Sequence, residues 1–404
     1  MDDKKVIIFT TYYKNNNYGG VLQAYALQKY IKTLGYDVTT ASYEDKYIVF
    51  SPEDDHGVRS FLGKVRRLGD KRSYKKLRRY LLMGLNKDLV DKIKSRDRSF
   101  EKFREVAITH TDHVLNDANV RRCVDLYDIF ICGSDLVWNI AETEELQKGY
   151  WLTFVEDKTK IAYAPSIPMY FLRDIQKELI RSALSDFSSI SVREDIGKDL
   201  LDTLNIGKKI YHVVDPVFLL TREEWKNTSI HSRFSQMDGP YILTYFLGRE
   251  EKYRTLASWI ARYLGIKIFN IAHANGFCIE DLMFGEPLID IDPYDFIALF
   301  CNCELVITDS FHGAAFSLIF GKEFYTVERF KDPTTCDLNA RLTSLLRMMK
   351  VEENMLDHDD LDSAFARFTR LHVRPVHYGG ILSERIDRSK EYLNSALRSQ
   401  EVEE

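Results

Sequence analysis

The chain has 404 residues, 45% of them hydrophobic and 29% charged, with a formal net charge of −5. That composition excludes a disordered, fibrous or collagen-like chain and fits two or three domains of roughly 150 residues. No run of about 18 apolar residues occurs, so no membrane-spanning helix is expected.

The opening Met1-Asp2-Asp3-Lys4-Lys5 lacks the basic-then-apolar layout of a secretory signal, and a cytoplasmic protein is the expectation. The six cysteines (Cys123, Cys132, Cys278, Cys301, Cys303 and Cys336) form no C-x-x-C pair, as expected of reduced thiols. The histidines show no H-E-x-x-H spacing, and His110 and His113 have no cysteine beside them, so no metal is expected.

In chain order, Lys5–Thr11 is a short apolar, β-branched run and predicts a buried strand. The polar loop Tyr13–Tyr18 and Gly19-Gly20 follow. A helix is then predicted from about Val21 to Leu34, with Gly35 as its stop. Tyr36–Tyr43 predicts a second strand, and the strand–helix–strand order implies a parallel sheet. Between Arg59 and Glu105 stand 17 Lys/Arg against 6 Asp/Glu, a local +11 that leaves −16 for the rest of the chain (−5 − 11). This basic helical insertion, about 57–108, suits contact with an anionic membrane surface; its plain alternative is a solvated helical face. It carries no nucleic-acid-binding module.

Strands are predicted at Leu126–Cys132, Lys160–Ala164, Ser189–Val192 and Tyr211–Val214, with helices at about Leu172–Phe187 and Glu194–Leu204. The polar, turn-rich Thr221–Pro240 reads as an interdomain linker. A second alternating unit has strands at Tyr241–Phe246, Lys267–Ile271, Glu304–Thr308 and Glu323–Val327. Its helices are expected at Glu250–Leu264, Tyr294–Cys301, His312–Phe320 and Asp337–Met349, and a last helix at about Leu382–Leu397. The expected fold is α/β: two facing doubly wound, Rossmann-like domains, residues 1–220 and 241–375, and a C-terminal helix within 376–404. Ligands of such sheets bind beyond the carboxyl ends of the strands.

Four segments stand at such ends. The first is Asn15-Asn16-Asn17-Tyr18-Gly19-Gly20, where glycines and a helix N-terminus let backbone approach a ligand; a plain turn is the alternative. The second is Gly133-Ser134-Asp135, where Asp135 can act as a base or accept from a sugar hydroxyl; otherwise Ser134 or Asp135 is a helix cap. The third ends in Arg193, a guanidinium able to grip a carboxylate or phosphate; the alternative is an ion pair with Glu194. The fourth, Val306–Phe316, runs from a strand through Asp309-Ser310-Phe311-His312-Gly313 into an apolar helix, with a histidine suited to acid or base work.

The order N-Y-G-G-V-L-Q-A-Y-A-L-Q, G-S-D-L-V-W-N, S-V-R-E, V-V-D-P and T-D-S-F-H-G-A-A-F, spread from about Val6 to Met349, resembles the polysaccharide pyruvyl transferase family. The resemblance implies a fold similar to GT-B, phosphoenolpyruvate as donor substrate with no other cofactor, and a sugar diol as acceptor in capsule or exopolysaccharide synthesis. It implies His312 as general acid and Arg193 as a donor ligand; Asp135, by its own residue type, is the second catalytic candidate. Arg193, Ser310, Gly313 and Arg341 (in DLNARL) would bind donor, and Asn17, Gly19, Gly20 and Ser134 acceptor. The dipole of the helix at His312 calls for a nearby anion, Asp309 or the donor phosphate. The run departs from the family's S-R-L-H-G: no arginine stands just before His312. A lipid-linked acceptor would give the basic segment a place at the inner face of the membrane. A GT-B glycosyltransferase using a nucleotide sugar and a non-catalytic subunit of a glycan-assembly complex are the competing readings.

Overall fold

The computed structural model describes residues 4–44, 87–140, 145–237, 239–273, 279–329, 338–372 and 379–398. Residues 57–86 of the expected basic insertion lie outside them, as do Cys278 and Cys336.

The chain folds around two sheets. The first contains β1 (Lys5–Phe9), β2 (Asp37–Thr40), β3 (Ile129–Cys132), β4 (Thr159–Ala162), β5 (Ser189–Val192) and β6 (Ile210–His212). All are parallel, in the order β2-β1-β3-β4-β5-β6. The second contains β7 (Tyr241–Tyr245), β8 (Lys267–Ile271), β9 (Glu286–Leu288), β10 (Leu305–Thr308), β11 (Glu323–Val327) and β12 (Met355–Leu356). Read from its far edge, its order β9-β8-β7-β10-β11-β12 is that of a dinucleotide-binding Rossmann sheet, again wholly parallel. The central strands are apolar on both faces because helices cover both. Each sheet has one point where the strand order reverses, between β1 and β3 and between β7 and β10. Those two crevices face each other.

The helices that matter for the site are α1 (Tyr18–Thr33), α2 (Lys87–Ala107), α3 (Asp174–Leu184), α4 (Asp195–Asp202), α5 (Arg222–Thr228) and α6 (Glu251–Leu264), then α7 (Pro293–Asn302), α8 (Phe311–Phe320), α9 (Ala340–Met349), α10 (Leu361–His372) and α11 (Gly379–Arg398). Two expectations change. Helix α1 begins at Tyr18, not Val21, because the Asn17 side chain accepts from the Gly19 and Gly20 amides at 2.9 and 3.3 Å; both glycines are helical. The segment read as a linker contains α5, started by a Thr221/Glu224 capping box. Its Trp225 is fully buried between Tyr25 and Phe316 and donates to the Val217 carbonyl at 2.9 Å. Polar composition hid a helix whose single large apolar side chain wedges between the halves.

One apolar cluster runs through both halves, holding Tyr18, Leu27 and Val217 from the first and Tyr245, Phe296 and Phe316 from the second. Tyr18 stacks on Phe296 at 4.6 Å and donates to the Ile291 carbonyl at 3.0 Å. Helix α11 returns to the first sheet: the Tyr392 hydroxyl donates to the Ala162 carbonyl at 2.8 Å, and the Val214 amide donates to Ser389 at 3.0 Å. Separate clusters pack the outer faces of the two sheets. Among the described residues, no helix is long and apolar enough to cross a membrane.

Candidate active site

The loops after β1 and β3 meet those after β7 and β10 in the interdomain cleft, and the sequence dictates each loop locally. Strand β10 runs into Thr308-Asp309-Ser310, and α8 starts at once. Ser310 caps it, accepting from the Gly313 amide at 3.4 Å. A Cβ on Gly313 would lie 2.4 Å from Thr308 Oγ1, so only glycine lets the helix turn off the strand this tightly. The Asp309 carboxylate accepts from the Leu247 and Gly248 amides at 2.7 and 2.6 Å, binding the loop after β7 to the loop after β10.

His312 is thereby set in the first turn of α8 and faces the other half of the protein. Its Nε2 lies 3.7 Å from Asp215 Oδ2, an ionic contact longer than a hydrogen bond. Its ring lies against the bare backbone of Gly19: a Cβ there would be 2.0 Å from Nδ1. The anion beside His312 is therefore Asp215, from the end of β6, and not Asp309, whose oxygens are taken by backbone amides. The motif V-V-D-P held the signal, an acidic residue directly after a buried strand.

Asp215 is fully buried and gathers donors. Oδ1 accepts from the Val217 amide at 3.0 Å, while Oδ2 accepts from Arg193 Nη1 at 2.7 Å and Ser134 Oγ at 3.1 Å. Burial opposes the charge, but contact with His312, then Arg193 and the Val217 amide, outweighs it and holds Asp215 well below the usual carboxylate range. Arg193 is equally enclosed. Its Nε donates to Glu194 Oε1 at 2.9 Å, and its plane lies 4.2 Å over the Phe311 ring. Burial would lower its charge affinity; Glu194, Asp215 and Asp135 raise it instead. The ion pair with Glu194 is thus present, and Nη2 is buried with no partner among the described residues. Glu194 is fixed in turn by Ser166 Oγ at 2.9 Å and the Ile167 amide at 3.1 Å.

Arg341, at the start of α9, reaches the same place. Burial, then the neighbouring charges of Arg329 and Arg193, hold it down to about 10. Its Nε donates to the Leu338 carbonyl at 3.3 Å. Guanidinium groups crowd here with too little carboxylate to balance Arg341, an arrangement that an anion would complete. Arg329, at the end of β11, lies 3.6 Å from Asp309 Oδ2. It puts a cation at the loop that lacks the family's pre-histidine arginine.

On the first half's side, Asp135 sits at φ 72° and ψ −168°, a conformation that costs a non-glycine residue about 1–3 kcal/mol. It is held there by the Thr11 hydroxyl, which donates to Oδ2 at 3.1 Å, and by the Ser166 amide, which donates to its carbonyl at 2.9 Å. Gly20 packs beside it; a Cβ there would be 3.3 Å from Asp135 Oδ2. Ser134 is fully enclosed, its single hydroxyl proton shared between the Ala164 carbonyl at 2.7 Å and Asp215 Oδ2 at 3.1 Å.

The fold therefore brings together His312, Arg193, Arg341, Asp135, Gly19 and Gly20. Asn17, Ser310 and Gly313 shape backbone, and Ser134 stands behind Asp215. Asp215, Glu194, Phe311 and Arg329 join the site without having been singled out from sequence. Helix α2 closes one side: Arg104 Nη1 donates to the Asn15 carbonyl at 2.8 Å, and Arg96 Nη1 donates to the His273 carbonyl at 3.0 Å. No cluster of three or more His, Cys, Asp or Glu among the described residues is placed to hold a metal.

Two facing parallel sheets with an anion-seeking cleft between them define a GT-B fold. The same architecture occurs in the UDP-GlcNAc 2-epimerase of Neisseria meningitidis (TM-score 0.54, 12% identity, 98% of this chain and 100% of that one). It occurs also in that of Methanocaldococcus jannaschii (TM-score 0.54, 10% identity, 96% and 99%). At that identity the likeness is one of fold. No curated protein sequence matches this chain significantly. The family model for polysaccharide pyruvyl transferase matches residues 17–329, and the chain belongs to that family: it is a transferase that acts on polysaccharide.

Proposed function

We propose that this enzyme transfers the pyruvyl group of phosphoenolpyruvate to two hydroxyls of one sugar, forming a cyclic ketal, with His312 as general acid. The observation that carries the reading is the company His312 keeps: the Arg193 guanidinium, whose Nη2 is buried with no hydrogen-bond partner among the described residues, and Arg341, whose charge is disfavoured by burial and by two neighbouring cations. Phosphoenolpyruvate brings a carboxylate and a phosphate, which such groups bind in pairs of parallel hydrogen bonds.

The chemistry follows from the residue types. An imidazolium protonates the methylene carbon of the donor, leaving C2 an oxocarbenium. A sugar hydroxyl adds to C2 and gives up its proton, for which Asp135 is the nearest candidate acceptor. The C2–O bond to phosphate then breaks and phosphate leaves with the bonding pair; the second hydroxyl adds to C2 and closes the ketal, its proton passing to the departing phosphate, while the proton taken from the first hydroxyl restores the imidazolium. One phosphoenolpyruvate and one diol become one ketal and one phosphate. No further cofactor is needed. In this reading Arg193 and Arg341 border the donor beside a loop shaped by Ser310 and Gly313, while Gly19 and Gly20, set by the Asn17 cap, lie toward the acceptor and Ser134 supports Asp215 from behind.

The donor is a cytoplasmic metabolite, so the reaction belongs in the cytoplasm, in capsule or exopolysaccharide synthesis. A lipid-linked acceptor would bring the protein to the inner membrane face. Lys94, Arg98 and Lys102, exposed at a spacing of four along α2, support that contact. Charge reversal there should abolish co-sedimentation with anionic vesicles; no sedimentation of the parent would end the idea.

Calorimetric titration tests the donor. Phosphoenolpyruvate should bind the parent and lose affinity on the order of a hundredfold in Arg193→Ala or Arg341→Ala, as when about 3 kcal/mol of charged hydrogen bonding is lost. Binding of a nucleotide sugar in its place would make the protein a glycosyltransferase.

A further inference from the structure

The proton donor and its nearest anion come from different halves of the molecule. His312 stands on α8, after β10 of the second sheet, and Asp215 stands after β6 of the first. Their side chains are 8% and 0% exposed, so the contact is made in a dry place where charge counts for more than in water. The imidazole has two ends in different surroundings. Nδ1 is pressed against the backbone of Gly19, where a Cβ would lie at 2.0 Å. Nε2 points at Asp215 and has no hydrogen-bond partner among the described residues.

The carboxylate itself is immobile. Val217, Arg193 and Ser134 all donate to it, and Asp215 caps the turn that begins at Pro216. The charged groups that act on it are His312 and Arg193; Arg193 in turn feels Glu194 and Asp135, and Arg341 stands beyond, beside Arg329 and Arg193. Asp309 is engaged elsewhere, its oxygens on the Leu247 and Gly248 amides.

We propose that Asp215 is a positioning residue: from the first half it keeps a proton on Nε2 of His312 in the second, so the acid exists only when the halves are closed. The inference rests on the reading of His312 as proton donor, but the pairing can be tested without either substrate. It explains why so many donors are spent on one carboxylate. Each hydrogen bond stabilises the charged form and fixes its direction, leaving its remaining field for the imidazole. Opening the cleft by a few ångströms would part the pair and expose both to water. With Nε2–H held toward Asp215, the proton that the imidazolium gives to the donor is the second one, on Nδ1 at the Gly19 side.

Nitrogen-15 NMR of histidine-labelled protein tests it, with the His312 signals assigned by their loss in His312→Gln. In the parent, the neutral ring of His312 should carry its proton on Nε2; a proton on Nδ1 overturns the proposal. In Asp215→Asn, His312 should give up its second proton at a lower pH than in the parent, and in Asp215→Glu the midpoint should return toward the parent's. Equal midpoints in the parent and Asp215→Asn overturn it. Should Asp215→Asn fail to fold, the parent's tautomer still decides. In turnover, Asp215→Asn should lower kcat on the order of a hundredfold, keep KM for phosphoenolpyruvate within about threefold, and shift the alkaline limb of the pH–rate profile to lower pH. A KM that rises as far as kcat falls would make Asp215 part of the donor site and overturn the positioning role. If the NMR results hold and no phosphoenolpyruvate is consumed, the proposed reaction fails and the pairing stands.

Discussion

Gly19→Ala is the sharpest perturbation the structure offers. The residue lies in the first turn of α1, where alanine is the better helix former by about 1 kcal/mol. Nothing local forbids the change. The obstacle is across the cleft: the new methyl would sit 2.0, 2.3 and 2.5 Å from Nδ1, Cγ and Cε1 of His312. An ordinary contact is about 3.5 Å, so the ring or the whole second half must retreat by about 1.5 Å. A displacement of about 1 Å at a reacting group can cost a hundredfold in rate. We expect kcat to fall on the order of a hundredfold or more, while thermal stability moves by no more than about 2 °C, since the helix gain offsets the lost contact. The assay is phosphate release from phosphoenolpyruvate with a glycan acceptor, run beside a thermal melt. Gly380→Ala is the control: it lies in the first turn of α11, and a Cβ there meets nothing within 4 Å. Parent-like turnover in Gly19→Ala would refute the claim that the imidazole is held against α1.

Two further outcomes follow. Trp225→Ala removes a fully buried ring from between the halves and should cost about 3–5 kcal/mol in urea denaturation, and an unchanged midpoint would show that α5 is not structural. Asp215, held below the usual carboxylate range, contributes stability that is present above its unfolded value, near 4, and is lost as pH falls through its lower folded value. Denaturation midpoints of the parent should therefore drop below about pH 4, and those of Asp215→Asn should drop less; parallel curves would contradict the assignment.

The sheets were legible because buried parallel strands are short apolar runs with turn residues behind them, and Ser189–Val192, Lys267–Ile271 and Glu323–Val327 fall where that pattern ends. What escaped had weak or mixed patterns. β9 is three residues with a proline and β12 only two. Helix α10 carried a periodic signal, Ala364, Phe368 and Leu371, that was passed over. Within the site, motifs identified the loops but not the partnerships. Arg193 reads in sequence as either a ligand grip or an ion pair, and only the fold shows one guanidinium with both kinds of edge. That Asp215 faces His312 depends on two sheets meeting, and no spacing along the chain encodes a contact between residues 97 apart (312 − 215).

Helix α11 bears on how the protein is made. Tyr392, Leu393, Ala396 and Leu397 are buried, and Tyr392 hydrogen-bonds to the end of β4. The first half of the chain therefore lacks one of its own walls until Gly379–Arg398 has left the ribosome. During synthesis it must wait with that apolar face uncovered. A stop codon before residue 379 would leave both crevices written in full and the first of them unroofed. Nonsense variants of this gene should thus be cleared by proteases as misassembled chains, even when every residue of the cleft has been translated.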